Sequence, residues 1–400
     1  MSVVPQLQGA CDPRFAAVRE AFAENFAKRG DVGAAVCVYV EGKPVVDLWG
    51  GFADAARTRP WERDTIVSVA STTKGMTTLC THMLVERGLL DLDAPVTRYW
   101  PEFAQAGKDT IPVRWLLSHR AGLPAIRRDM SPQSLYEWSA MTAALAETEP
   151  WWKPGTQHGY HAMTFGFLIG EVLRRITGKS VGEFLRAEVT GPLGADFFIG
   201  VPEAEDARAA EVLPDPPPRP GDVTMWETLL QDPLSMSGRA FLNPPRTPTV
   251  TNTRAWRAAE IPAGNGHTTA RALGRIYGAL ASGGALAGVH LLNPATIAAA
   301  IVEQSFGLDA ILQFPTRFGV GFMLPTAERS FGPNPRAFGH PGRGGSIGFA
   351  DTEARVGFGY VPNQYQTGTL QNPDLRWPAL VDAVYASLGS SGQRTRTHEL

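Results

Sequence analysis

Ser71-Thr72-Thr73-Lys74 follows a short β-prone stretch, Thr65 to Ala70. It opens a run with apolar residues at Met76, Leu79, Cys80, Met83 and Leu84. That spacing predicts a helix from Ser71 to Arg87, with Gly88 as its stop. Residues three apart share one helical face, so the Ser71 hydroxyl and the Lys74 amine lie one turn from each other. A serine hydroxyl is a weak nucleophile until a neighbouring base takes its proton. At a helix start it also sits beside free N–H groups and the positive end of the helix dipole. A Ser or Thr at a helix start is more commonly a plain cap, so the rest of the chain has to decide. The chain has six lysines against thirty-one arginines, with none beyond Lys179. A lysine within an apolar helix is therefore less plausible as filler, and buried lysine can lose its proton where arginine cannot.

Composition narrows the class. Four hundred residues with 44% hydrophobic and 19% charged content describe a soluble globular enzyme larger than one comfortable core. A net charge of −2 gives no electrostatic case for nucleic acid or a membrane surface. No apolar run approaches the ~20 residues needed to span a bilayer. Met1 to Arg14 lacks a signal-peptide pattern, and the scattered Cys11, Cys37 and Cys80 fit neither disulfides nor a metal cluster. The expectation is a cytoplasmic protein without cofactor. His158 and His161 lack a third ligand, and the glycine clusters lack a P-loop lysine.

Along the chain, Asp12 to Lys28 reads as a helix carrying Phe15, Val18, Phe22 and Phe26. Ala34 to Val40 and Pro44 to Trp49 read as strands joined by a turn at Glu41-Gly42-Lys43. Helices are expected at Val113 to Ser118, Ser134 to Glu147, Thr164 to Thr177, Val181 to Val189 and Ala270 to Ala281. The proline-rich stretch 202–262 reads as long loops with short helices, its Trp226, Leu229, Leu230 and Phe241 arguing against disorder. Short β-like runs follow at Phe318 to Met323, Ala337 to His340, Ser346 to Asp351 and Arg355 to Val361. A last helix, Leu375 to Leu388, precedes a polar tail. Strands at both ends and helices between them predict an α+β fold. In it, an antiparallel sheet is flanked by helices, with a mainly helical domain inserted. The expected division is 1–110 with 263–400 as the core domain and 111–262 as the helical one.

With these pieces placed, the chain resembles the serine β-lactamase-like superfamily, and within it the family VIII carboxylesterases. The resemblance runs from about Ala34 to Val361. It rests on Ser71-Thr72-Thr73-Lys74, on Val113 to His119 with Gly122-Leu123-Pro124, and on Trp152-Lys153-Pro154-Gly155 with Tyr160. The last piece is Gly339-His340-Pro341-Gly342 leading into Gly348-Phe349-Ala350-Asp351. It implies a β-lactamase-like fold with Ser71 as nucleophile, Lys74 as its base and Tyr160 as a proton carrier. It also implies an oxyanion hole from the N–H groups of Ser71 and Arg343, with His340, Gly342 and Trp152 on the substrate side.

Two departures bear on substrate. The family's Tyr-x-Asn motif reads Tyr160-His161-Ala162 here, and its Lys-Thr-Gly motif reads His340-Pro341-Gly342. The losses are an amide donor and a cation that hold a β-lactam. The leading expectation is therefore a carboxylesterase acting on a small-molecule acyl ester. A β-lactamase-like or D-amino peptidase activity, and a catalytically silent penicillin-binding-like protein, are the alternatives. The sequence does not indicate oligomeric state. A rival nucleophile, Ser346, sits in Gly344-Gly345-Ser346-Ile347-Gly348, which fits G-x-S-x-G. That motif needs a helix after the serine and a later histidine. Only β-like runs and His398 of the tail follow, so Ser346 reads as a turn or strand residue.

Overall fold

The computed structural model describes residues 5–218, 222, 224–368 and 373–389. His398, the tail, and the side chains of Trp226 and Leu230 lie outside this description. The two β-prone runs near the N-terminus form a hairpin, Gly33–Val40 (β2) and Lys43–Gly51 (β3), flanked at the edge by Gln8–Cys11 (β1). Glu41 and Gly42 both have positive φ, 50° and 75°, as a tight two-residue hairpin turn demands. From the other end of the chain come Phe338–Pro341 (β4), Ile347–Asp351 (β5) and Val356–Pro362 (β6). The six form one antiparallel sheet in the order β1-β3-β2-β6-β5-β4. The α+β expectation holds, and both chain ends build the sheet.

Both faces of this sheet are covered, which is why β2 and β6 read as nearly unbroken apolar runs. Val36, Val38, Val46, Leu48, Phe349 and Phe358 pack toward helix α1 (Ala16–Lys28) and the last helix of the described chain, α5 (Arg376–Gly389). In α1, Val18, Phe22 and Phe26 supply that face, with Phe15 just before it. Each such burial contributes about 1.5–3 kcal/mol. Cys37 and Tyr39 point the other way, toward Ala270–Ala281 (α4). There the approach is backbone to backbone: a Cβ on Gly357 would lie 2.1 Å from the Gly278 nitrogen. Glycine on both elements is what lets α4 sit so close to β6.

Two further helices face the site: Thr73–Glu86 (α2) and Thr164–Thr177 (α3). The ends expected for α3 and α4 agree with the structure. Others differ. The helix expected from Ser134 is a 3-10 turn, Pro132–Tyr136, broken at the extended Glu137 before Trp138–Glu147. The helix from Val181 ends at Leu185 and continues as a wider turn, Arg186–Thr190. The β-like run at Phe318 belongs to a hairpin, Ser305–Leu308 with Pro315–Phe318, and Phe318 is its last residue, not its first.

One buried network links the sheet's far end to this frame. Arg376, fully buried, donates all five N–H groups: to Asp31 (3.0 Å), Gln364 O (2.8 Å), Gly344 O (2.7 Å) and both Asp374 oxygens (2.9 and 2.8 Å). The Tyr360 hydroxyl donates to Asp31 as well. A buried guanidinium is tolerated only when paired and fully hydrogen-bonded, and here it anchors the glycine turn after β4.

Candidate active site

The loop that carries Ser71 is held before the helix begins. Val67–Ser68 pairs antiparallel with His267–Thr268, and Val69 N donates to Gly266 O at 2.9 Å. Ala70 then takes φ +44°, a conformation costly for a residue with a side chain. Ser71 follows in a 3-10 turn, Ala70–Thr72, and α2 starts at Thr73. Ser71 is thus half-buried at the head of the helix, while Lys74 is fully buried one turn later.

Lys74 Nζ has three oxygen neighbours: Ser71 Oγ at 3.2 Å, Ala162 O at 2.7 Å and Ala263 O at 2.8 Å. Two are carbonyls, which only accept. A neutral amine donates its two hydrogens to those carbonyls and is left with one lone pair, aimed at Ser71 Oγ. Burial pushes the Lys74 pKa well below 10.5, favouring that neutral form.

Tyr160 closes the triangle. Lys74 Nζ lies 4.7 Å from its ring centroid, and Ser71 is within hydrogen-bonding reach of its phenol. Burial pushes the phenol's pKa up, the Ser71 hydrogen bond opposes this, and Asp309 raises it further. The group is a protonated phenol. Its other neighbour is His340 Nε2 at 3.5 Å. His340 Nδ1 lies 2.7 Å from Pro341 O, so Nδ1 carries the hydrogen and Nε2 is free to accept. Burial, with Lys74 adding to it, lowers the His340 pKa to about 3, so the ring is uncharged at neutral pH. Ser71, Lys74, Tyr160 and His340 come together in the structure.

The remaining motifs build the frame that presents Tyr160. Trp151 N donates to Gly122 O (2.7 Å), Gly155 N to Arg120 O (2.9 Å) and Gly159 N to His119 O (3.1 Å). His161 accepts from Leu123 N at 3.1 Å, and its own N–H donates to His119 Nδ1 at 3.1 Å. His119, at φ +61°, is ringed by Tyr160, Phe165 and Phe318. Trp152 is half-buried and packs edge-on to His161.

Around the glycine turn, Gly342 N donates to Ser346 O at 2.7 Å, and a Cβ on Gly342 would lie 2.2 Å from Val69 O. Gly342 therefore packs the turn against the Val69–Thr72 loop. The Arg343 guanidinium pairs with Asp215 at 3.1 Å and lies over Tyr365. Ser346 is buried, donating to Val69 O at 2.8 Å with Thr72 Oγ1 at 3.1 Å. It ties the turn to the loop that carries Ser71, and its hydrogen-bond neighbours include no base.

Sequence reasoning missed four contributors: the carbonyls of Ala162 and Ala263, the buried carboxylate of Asp309, and Arg329. Arg329 lies over Phe314 and acts electrostatically on both Tyr160 and His340. Backbone carbonyls leave no mark in a side-chain motif. Among the described residues no helix is long and apolar enough to cross a membrane.

This fold and this serine–lysine–tyrosine arrangement fit a serine hydrolase of the β-lactamase-like class, and the comparisons agree. The chain belongs to the Beta-lactamase family, whose description matches residues 18–383. It is similar to the solved structure of a family VIII carboxylesterase, with 45% identity, a TM-score of 0.87, and coverage of 96% of this chain and 100% of that one. A penicillin-binding protein homologue from Caulobacter crescentus is 40% identical, with a TM-score of 0.86 over 96% of this chain and 100% of that one. The esterase/beta-lactamase LipL of Mycobacterium tuberculosis is 39% identical over 89% of this chain and 82% of its own length. The protein is a serine hydrolase of the β-lactamase/esterase type.

Proposed function

We propose that the protein is a carboxylesterase that hydrolyses short, neutral acyl esters through an acyl-enzyme on Ser71. The observation that carries the reading is the Lys74 amine, with two carbonyl acceptors and one remaining direction, toward Ser71 Oγ at 3.2 Å. In the first step Lys74 takes the Ser71 proton as Oγ bonds to the ester carbonyl carbon. The oxyanion that forms is held by the N–H groups of Ser71 and Arg343. The tetrahedral intermediate expels the alkoxide, which takes its proton from Tyr160, and the Lys74 ammonium returns a proton to the tyrosinate, so that both groups regain their starting forms. A water then attacks the acyl-enzyme with the same base, releasing the carboxylic acid and restoring Ser71. General-base catalysis of this kind contributes typically about 10²–10⁴-fold.

Two features support an ester over a β-lactam: a neutral His340 stands where a lysine would hold a carboxylate, and Ala162 stands where an amide would bind. An ester needs neither, since an alkoxide leaves more readily than an amide nitrogen. His340, Gly342 and Trp152 remain on the substrate side in this reading, and 111–262 remains the inserted helical domain. One observation favours an anionic substrate instead, namely Arg329 acting on Tyr160 and His340. The family VIII relative is named a carboxylesterase alone, whereas the name of LipL spans both activities. The deciding test labels the protein with a fluorophosphonate, locates the adduct by mass spectrometry, and compares a four-carbon nitrophenyl ester with a chromogenic cephalosporin. An adduct on Ser71 with ester turnover dominating is the expected result. An adduct on Ser346, or equal kcat/KM for both substrates, overturns the reading.

A further inference from the structure

We propose that Asp309 is a positioning residue for Tyr160, a buried carboxylate on the 305–318 hairpin that fixes the tyrosine's backbone and so sets its phenol against Ser71. Asp309 has zero exposure and lies far from Tyr160 in the sequence. Four donors converge on it. Oδ1 accepts the backbone N–H groups of Tyr160, Ile311 and Leu312, each at 2.9 Å, and Oδ2 accepts the Thr316 hydroxyl at 3.0 Å. The next residue grips the same segment from the other side, with Ala310 N donating to His158 O at 3.1 Å. His158 Nε2 completes the cluster, 3.0 Å from Thr316 Oγ1 and 4.0 Å from Asp309 Oδ2.

Between the two grips lies Gly159. A Cβ there would come within 2.9 Å of the Trp152 ring, 3.1 Å of Ile311 and 3.2 Å of Ala310. The segment 158–160 is therefore pressed between the hairpin and the Trp152 stretch, with hydrogen bonds on both flanks. A carboxylate buried without an arginine or lysine partner is expensive unless its acceptor positions are filled. Here they are filled, and one of the four bonds goes to the residue that bears the phenol. Two of the others close the hairpin's own loop and hold the carboxylate at a fixed height. The tyrosine backbone cannot shift without breaking a charge-assisted bond, and a displacement near 1 Å at a reacting group can cost about 10²-fold in rate.

This inference rests on the reading of Tyr160 as proton carrier, so the experiment separates the two. The variants are Tyr160→Phe, Asp309→Ala, Asp309→Asn, and Asp309→Ala combined with Tyr160→Phe. Each is assayed for kcat and KM with a nitrophenyl butyrate and checked for folding by thermal melting. Asp309→Ala is expected to lose about 10–100-fold in kcat with KM within about threefold. Asp309→Asn keeps an Oδ1 acceptor and should stay within about fivefold of wild type. In the Tyr160→Phe background, Asp309→Ala should cost nothing further, because it acts through the phenol. Where Asp309→Ala does not fold, Thr316→Val takes its place, with a smaller kcat-only loss that also vanishes in Tyr160→Phe. Wild-type kcat in the folded variant, or a loss that adds in full to that of Tyr160→Phe, overturns the positioning role. A Tyr160→Phe enzyme with wild-type kcat overturns the reading beneath it.

Discussion

The carbonyl of Ala162 accepts a hydrogen bond from Lys74 Nζ at 2.7 Å, two residues after the tyrosine that completes the site. One short segment thus supplies both the phenol and a brace for the Lys74 amine. With Ala263 O as the second brace, Lys74 is held by groups that stabilise an N–H but offer no negative charge to keep an extra proton. This predicts how the base fails. Lys74→Arg should lose about 10²–10⁴-fold in ester turnover, as much as Lys74→Ala, since arginine keeps its proton. Steady-state kinetics on both variants checks it. Near-native turnover in Lys74→Arg would make Lys74 an electrostatic residue instead of a base.

Acid should unfold this protein early. His82 and His267 have pKa values lowered to about 4, His161 and His340 to about 3, and His119 is also held low, burial being the main cause in each. Below the ordinary value near 6.5, the unfolded chain binds protons at these sites that the folded chain refuses. Stability is therefore present above pH 6.5 and is lost as pH falls toward 4, at up to about 1.4 kcal/mol per pH unit per histidine. Five such groups over two pH units would rival a typical total of about 5–15 kcal/mol. Thermal melts at pH 7, 6 and 5 should show a steep fall in Tm. A flat Tm down to pH 5 would mean that these rings are protonated in place. Lys74 adds to the same slope from higher pH, because its folded pKa is also depressed.

Much of this was legible in the sequence, and the reason is locality. Ser71 and Lys74 are one turn apart, and the apolar rhythm of Thr164 to Thr177 marks the ends of α3 without outside help. The Glu41-Gly42 turn is set by two residues. What stayed hidden depends on contacts between distant parts of the chain. Asp309 means little beside Leu308 and Ala310, and gains its role only when Tyr160 arrives from far upstream. The strand assigned from Phe318 onward failed for a related reason. Its true partner is Ser305–Leu308, and Gly319 to Gly321 bend away instead of extending it. The break at Glu137 falls just before Trp138, which packs on Phe167 and donates to Glu171, contacts that no helical period announces.

Ser346 makes a prediction that separates structure from chemistry. Its hydroxyl joins the glycine turn to Val69 O and Thr72 Oγ1, so removing it loosens the register between turn and nucleophile loop. Ser346→Ala should cost about 1–2 kcal/mol of stability, the scale of one or two lost hydrogen bonds with partners left buried. Turnover should fall less than about tenfold, whereas Ser71→Ala, lacking the nucleophile, should lose essentially all of it. Chemical denaturation and ester kinetics on the two variants give both numbers. Equal loss of turnover in the two would reopen the choice of nucleophile.

The last prediction concerns which substrate the site prefers. A β-lactam carries a carboxylate, and its recognition needs a cation that stays charged at pH 7. His340 does not qualify, since burial holds its ring neutral. Arg343 is committed to Asp215 at 3.1 Å. Arg329 is a cation whose field reaches both Tyr160 and His340. Losing one charge-assisted hydrogen bond is worth about 1.5–3 kcal/mol, or roughly one to two decades of kcat/KM. Neutral ester turnover is therefore expected to exceed cephalosporin turnover by a wide margin in the wild type. Arg329→Ala should remove what cephalosporin activity exists by about 10–100-fold, and leave a four-carbon nitrophenyl ester within about threefold. Equal losses on both substrates would show that Arg329 acts on the catalytic groups themselves. An unchanged cephalosporin rate would remove the argument for an anionic substrate at this site.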